Sequence, residues 1–558
     1  MTGVQTEALG RGSLFFRPFF LTFIVLLGVF TVGRLRARLR MSAAGLALLV
    51  SAVLSIDCAL AWATLLGAPG PLSLSGSALS SFAGILVVTW VTFRRFRLPR
   101  GIRVWRHSRR PLRRRLAPAV VLLGAAAAVW WPLDAWAQGP PDRSAVPVVG
   151  RIGSVPLFAM SVTILLAVFQ LVRMAWRRRD RSVTPVSVAF LVPAHNEAPA
   201  IAECIDSLDA AAERYPGPCR AYIVDNASSD DTAVVAEAAL ARCRHLRGRV
   251  LSCPTPGKAR ALNVGLREAG ERVLVRIDAD TVVEPSLLER LLPHFRDDSV
   301  GAVGGLALPK RTSSWLGTLR TMEVLYGVGF LRLAQGAVDG LTVVPGMLAA
   351  YRRRLLVRLG GFAEGLNGED ADITIRIGRA GYRVVTDPHI RAYTETPRTF
   401  GHLREQRLRW TRGLFHVAAR HASAIWMGQG LRGIWFLPMA ILNGGRRALA
   451  LPALVYVAAM LALSRGAFEL SGQALALGGV VVGLHMFLMV PILLLYRELP
   501  RASAVPGYLV FHAFRLYICL ETLLSMPVRS GARPSAQPAR FAATRRPGET
   551  WSFGPGAD

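Results

Sequence analysis

A chain of 558 residues, 52% of them hydrophobic, with a mean hydropathy of +0.36, is too apolar for a soluble multidomain protein, so much of it belongs in lipid. Charged residues still make up 18%, which excludes a bundle buried wholly in the membrane and excludes disorder as the main state. The 67 basic residues outnumber the 36 acidic ones for a net charge of +31, but that excess lies in runs beside apolar stretches, as in cytoplasmic loops of a membrane protein, and no nucleic-acid partner follows from it.

In chain order, apolar stretches long enough to span a bilayer fall at about 15–33, 42–64, 77–93, 116–132 and 153–173. The basic runs at 34–40, 94–115 and 176–181 orient these five spans with the N-terminus outside and everything after residue 176 in the cytoplasm. Between about 184 and 425 the character becomes that of a soluble α/β domain. Short apolar runs at 186–194, 220–226, 272–280 and 299–305 alternate with helix-like segments such as 199–215 and 231–243, which predicts βαβ units and a mostly parallel sheet. Ligands of such sheets bind at the carboxyl ends of the strands. Lipid-like sequence returns at about 448–464, 473–495 and 505–527, the last containing His512, Arg515 and Glu521 and so either crossing the bilayer or lying in its interface. The tail 528–558, rich in Pro, Ser, Ala and Arg, is expected to be disordered. Four regions follow: 1–183 transmembrane, 184–425 cytoplasmic, 426–527 interfacial and transmembrane, and 528–558 a basic tail. The six cysteines have no paired or metal-like spacing and read as reduced thiols.

Polar residues gather where strands are expected to end. The first strand runs into Pro193, Ala194, His195, Asn196 and Glu197, and the second into Asp225 and a stretch holding Ser228 and Asp230, which read first as turn and capping residues. Lys258, one of only two lysines, sits in a Gly-containing loop ahead of a helix, where an ammonium can meet phosphate. Asp278 and Asp280 stand at i and i+2, on one face of a fraying strand. There they could approach one Mg²⁺ or Mn²⁺ together with substrate phosphates, although two solvated strand-end carboxylates are the commoner meaning of a lone DxD. Gly368, Glu369 and Asp370 form an acidic loop. In 402–421, Gln406, Arg409 and Trp410 share a helix face, as an amphipathic membrane-surface helix would also arrange them.

Taken in order, the strand end at 193–197, Asp225, Lys258, Asp278-x-Asp280, Gly368-Glu369-Asp370 and Gln406-Arg407-Leu408-Arg409-Trp410 resemble the membrane-integrated family 2 glycosyltransferases. That family includes hyaluronan, cellulose, chitin-oligosaccharide and poly-N-acetylglucosamine synthases. The segment from Val344-Pro345-Gly346 through Tyr351 to Gly360-Gly361-Phe362 resembles the family's acceptor-side loop. The resemblance implies an α/β GT-A domain inserted between multi-span helical regions of the cell membrane. It implies a nucleotide-sugar donor, with UDP as the expected carrier, held by Pro193, Glu197, Asp225, Lys258 and Asp278. Asp280, with Asp278, would bind Mg²⁺ or Mn²⁺, and Asp370 would be the catalytic base. Glu369, Gln406, Arg409 and Trp410 would serve the acceptor and diphosphate. Such an enzyme inverts the anomeric centre and builds a β-linked polysaccharide, with export possible, on a glycan or lipid acceptor.

Departures stand beside the match. Asn226 occupies a position where many relatives have a second Asp, five spans precede the domain, and neither a gating-loop motif nor room for a cyclic-dinucleotide sensor is present. Single transfer to a lipid carrier is the competing enzyme reading. A non-catalytic nucleotide-binding transporter or sensor is the reading from a different class.

Overall fold

The computed structural model describes residues 146–178, 185–310, 314–397, 399–426, 430–441 and 487–525, with a few isolated positions besides. The spans expected at 15–33, 42–64, 77–93 and 116–132, most of 448–464 and 473–495, and the tail lie outside the described residues.

Helix α1 (Val146–Arg178) leads into β1 (Val188–Ala194), α2 (Ile201–Glu213), β2 (Cys219–Asp225), α3 (Thr232–Arg242), β3 (Arg247–Ser252), α4 (Lys258–Glu268) and β4 (Val273–Ile277). Strands β1 to β4 pair in parallel in the order β3-β2-β1-β4. Side chains alternate across the sheet as a strand buried on both faces requires. Val188, Phe190 and Val192 pack with Ile201, Ile205 and Leu208 of α2, while Ala189 and Leu191 face Leu262 and Leu266 of α4. Burial of a side chain such as Phe190 contributes roughly 1.5–3 kcal/mol and is complete here.

The chain continues through β5 (Thr281–Val283), α5 (Leu287–Leu291), β6 (Val300–Pro309), α6 (Trp315–Val324), α7 (Arg332–Ala337), β7 (Leu348–Arg352), α8 (Arg353–Arg358), α9 (Glu369–Arg379), β8 (Arg383–Thr394), α10 (Phe400–Arg420), α11 (Ala422–Trp426) and α12 (Val505–Ser525). The complete sheet runs β3-β2-β1-β4-β7-β6-β8-β5. The expectation of a mostly parallel sheet holds for β1, β2, β3, β4, β6 and β8, which share one direction, while β7 runs antiparallel to both β4 and β6, and β5 antiparallel to β8. The connection from β4 to β7 contains no single crossover helix; it passes through β5, β6 and α6 first.

Strand order reverses direction at β1, with β2 and β3 on one side and β4 on the other. A crevice opens outside the carboxyl ends of strands at such a point. A further apolar cluster joins Leu166 and Met174 of α1, Leu319 and Met322 of α6, Leu333 of α7, Leu488, Met489, Ile492 and Leu493, and Phe511 of α12. Among the described residues no single helix is long and apolar enough to cross a membrane. The bent pair Leu499–Tyr508 and Val510–Thr522, at 51°, passes only together, by length and composition.

Candidate active site

The carboxyl ends of β1, β2 and β4 converge on the crevice. Beyond β1, Glu197 is half-buried, and its backbone N–H donates to Thr232 Oγ1 at 2.8 Å. The loop is stitched to the start of α3 by Asn196 N–H to Ser228 Oγ at 3.1 Å and by Ala198 N–H to Asp230 Oδ2 at 3.2 Å. Ser228 and Asp230 are therefore turn residues. Asp225 closes β2, and its Oδ1 accepts from Ser228 N–H at 3.2 Å. Pro193 is buried within β1, so it shapes the strand end. Asn226 turns inward, and its Oδ1 accepts from Gly257 N–H at 2.8 Å, which fixes the turn that launches Lys258 into α4. An amide can make that bond as well as a carboxylate and adds no further negative charge.

Lys258 Nζ donates to Asp278 Oδ2 at 2.7 Å. The other oxygen of Asp278 is buried and has no hydrogen-bond partner. Asp280 Oδ1 accepts from the hydroxyls of Thr281 and Thr394, each at 3.2 Å. Burial, then the charge of Asp278, raises the Asp280 carboxyl above its ordinary range. Burial, then Asp280 and Asp278, pushes Glu197 up to about 7. Three mutually repelling carboxylates, one with an orphaned oxygen, fit a divalent cation. Among the described residues no group of three or more His, Cys, Asp or Glu side chains is arranged to hold a metal by itself. This donor set instead suits Mg²⁺ or Mn²⁺ completed by substrate phosphates and water.

Two residues before Asp278, on the same face of the strand, stands Arg276. It is almost wholly buried, and its Nη2 donates to Glu369 Oε1 at 2.7 Å. The centroid of the Phe362 ring lies 5.7 Å from its guanidinium carbon. This arginine belongs to none of the motifs above; its signal in the sequence is a cation inside the apolar run RVLVRIDAD. Glu369 is thereby engaged by Arg276. Burial raises its carboxyl, but Arg276 and Lys258 outweigh burial and hold it below the ordinary range. Its neighbour Asp370 goes the other way, raised by burial and then by Glu369. One continuous line of charge thus runs Lys258, Asp278, Arg276, Glu369, Asp370.

Asp370 stands in the first turn of α9, which Gly368 opens with φ of +95°, a left-handed conformation suited to glycine. Two residues on, Asp372 is fully buried. It accepts from Arg376 Nε and Arg420 Nε at 2.7 Å each and lies 3.0 Å from His421 Nε2. Arg420 ends α10, so this one carboxylate ties the Asp370 helix to the helix bearing Gln406, Arg409 and Trp410. The two elements also touch through backbone, since a Cβ on Gly413 would sit 2.8 Å from Asn367 O.

On α10, Arg409 is exposed and Trp410 is 45% exposed. The oxygen of Gln406 is buried and unpartnered. Arg407 and Arg320 place guanidinium carbons 4.7 and 5.6 Å from the Trp410 ring centroid, and both pair with Glu323 of α6. Neither Arg320 nor Glu323 stood in any motif. Both lie far from α10 in sequence and meet it only through folding.

Residues 185–413 match the family model described as "Glycosyltransferase like family 2". An N-acetylglucosaminyltransferase of Rhizobium leguminosarum bv. viciae is 31% identical over 288 residues, which are 48% of this chain and 67% of that protein. Another from Sinorhizobium fredii is 31% identical over 244 residues, 42% of this chain, and the match spans only 59% of that relative's length. Among solved structures, a mannosyltransferase from Pyrobaculum calidifontis in complex with GDP-Man and Mn²⁺ is similar at 24% identity and a TM-score of 0.42, covering 62% of this chain and 98% of that one.

Proposed function

This chain belongs to the family 2 glycosyltransferases, and on that premise we propose that it transfers a sugar, an N-acetylglucosaminyl group first, from a nucleotide-diphosphate donor to a growing β-linked glycan. The observation that supports this most directly is the charge line from Lys258 to Asp370, which sets donor-side cations and a raised carboxylate in one crevice.

In this reading Glu197, Asp225 and Asp278 receive the nucleotide end of the donor and Lys258 its phosphate. Asp370 removes the proton of the acceptor hydroxyl while that oxygen attacks the anomeric carbon. The bond to the diphosphate breaks, its electron pair leaves on the diphosphate oxygen, and in-line attack inverts the centre. A carboxyl raised by burial is a better-matched base near neutral pH than an ordinary one. Mg²⁺ or Mn²⁺ held by Asp278 and Asp280 would neutralise charge on the diphosphate. Lys258 and the exposed Arg409 stabilise the same developing charge, and Trp410 offers its ring to the acceptor sugar.

The domain at 184–425 would face the cytoplasm on a multi-span protein of the cell membrane. Supporting this are the basic runs beside apolar stretches and the packing of α1 and α12 against α6. Purified full-length chain incubated with a panel of UDP- and GDP-sugars and an oligosaccharide acceptor tests the reading by nucleotide release. Release with UDP-N-acetylglucosamine above the other donors is expected. Absence of turnover with every donor, in detergent and in bilayer discs, would overturn it.

A further inference from the structure

Away from the crevice, residues 497–504 and the start of α6 line an open cavity of about 380 Å³, with Trp315, Thr318, Arg497, Glu498 and Arg501 among its lining residues. Its polar side is cationic. Arg501 Nε pairs with Glu498 at 2.6 Å, while Arg497 is exposed and has no side-chain partner among the described residues. Arg497 follows the last turn of the helical segment 487–495 with φ of +61°. That left-handed position usually falls to Gly or Asn, because a side chain crowds the backbone there. An arginine held there places a free guanidinium at the cavity mouth.

The surroundings are apolar in an ordered way. Phe487 (72% exposed), Val490 and Leu494 recur at helical spacing along one outward face of 487–495, followed by Leu495 and Leu499. Two residues beyond that helical segment Arg497 lines the cavity, as does Trp315, which is 48% exposed. An apolar stripe followed by an unpaired arginine, at a cavity with a half-exposed tryptophan, is matched by an amphiphile with an anionic head.

We propose that this cavity binds the phosphate headgroup of an anionic membrane phospholipid, with the acyl chains lying along the Phe487–Leu495 face. The inference rests on the membrane localisation proposed above. The glycosyl-transfer crevice shares no lining residue with it.

The test uses the full chain in bilayer discs of phosphatidylcholine mixed with phosphatidylglycerol, reading the lipid retained on the protein after extraction by native mass spectrometry. Wild type should retain phosphatidylglycerol preferentially. Arg497→Gly removes the charge and suits the backbone, so it should fold while losing retention by roughly fivefold, the weight of one arginine against an anionic surface. Arg497→Lys should keep most of it. Equal retention in wild type and Arg497→Gly would overturn the proposal. So would displacement of the bound species by inorganic phosphate with no dependence on lipid, which would make the ligand a free anion. Carbonate extraction of cell membranes separates the premise: protein released to the supernatant overturns the localisation and the lipid site together, whereas protein in the pellet without Arg497-dependent retention overturns the lipid site alone.

Discussion

Lys258 Nζ lies 2.7 Å from Asp278 Oδ2, so an ammonium occupies the flank of the carboxylate pair proposed to bind a metal. It lowers the carboxyls of both Glu197 and Asp280 against the burial and repulsion that raise them. A diphosphate arriving with its cation would take over that neutralisation and draw the ammonium onto phosphate. Lys258→Ala should then weaken nucleotide binding even without metal, by roughly 10- to 150-fold if one charged hydrogen bond worth about 1.5–3 kcal/mol is lost. Asp280→Ala should instead abolish the gain in nucleotide affinity that Mg²⁺ or Mn²⁺ gives wild type. Calorimetric titration with and without chelator separates the two, and turnover unaffected by chelator would remove the metal from the site.

Glu197 supplies a pH dependence. Its carboxyl is pushed up to about 7 from an ordinary 4.5, chiefly by burial, then by Asp280 and Asp278. Between those values the folded protein keeps a proton that the unfolded chain has lost, so this residue's contribution to stability falls as pH rises through that window. A divalent cation offsets the repulsion once Glu197 ionises. The rise in melting temperature on adding Mn²⁺ should therefore be larger at pH 8 than at pH 6, and Glu197→Gln should flatten the difference. An equal rise at both pH values in wild type would disconnect Glu197 from the cation.

Much of this site was legible in sequence because its motifs are local. Asp278-x-Asp280 follows a buried apolar run, and β1, β2, β4 and β6 announce themselves by such runs. Strand β3 was not legible, since RGRVLS lies at the sheet edge and is largely exposed, without the apolar run of a buried strand. Strand β8 holds Asp387, Pro388 and His389 in its middle, residues that speak against a strand, and it forms because β6 and β5 pair on either side. The pairing of Arg276 with Glu369, 93 residues apart, and of Glu323 with Arg407, 84 apart, depends on tertiary contact that no local pattern encodes.

Asp370 and Asp372 sit two residues apart and should fail differently. Asp370→Asn keeps size and removes the proton acceptor, so turnover should drop by roughly 10²- to 10⁴-fold with nucleotide affinity preserved. Asp372→Asn leaves the buried Arg376 and the half-buried Arg420 without their shared counter-charge, and breaking the buried Arg376 pair costs about 3–5 kcal/mol. Its carboxyl is held well below the ordinary range because His421, Arg376 and Arg420 overcome the effect of burial. Denaturant melts alongside single-turnover rates distinguish the two; a stable, inactive Asp372→Asn protein would contradict the tether.

Whether the product is a polymer turns on Trp410. Its ring is flanked by two guanidinium groups that Glu323 holds in place, yet 45% of the residue remains exposed. Just beyond it, Gly413 packs against Asn367, next to the turn that opens the Asp370 helix. A sugar stacked on the ring would therefore lie near the proposed base, and the same ring could hold each newly added unit for the next attack. Trp410→Ala removes that platform without touching Glu197, Asp225 or Lys258, so nucleotide binding should stay near wild type. Acceptor engagement should weaken by roughly 5- to 150-fold, since stacking on an aromatic ring contributes about 1–3 kcal/mol by analogy with base stacking. The measurement is product size under limiting acceptor. A ladder in wild type that shortens in Trp410→Ala is the expected result, because loss of hold between additions releases the chain early. A single added sugar on an extractable lipid, unchanged in length by the substitution, would assign this protein to carrier glycosylation instead.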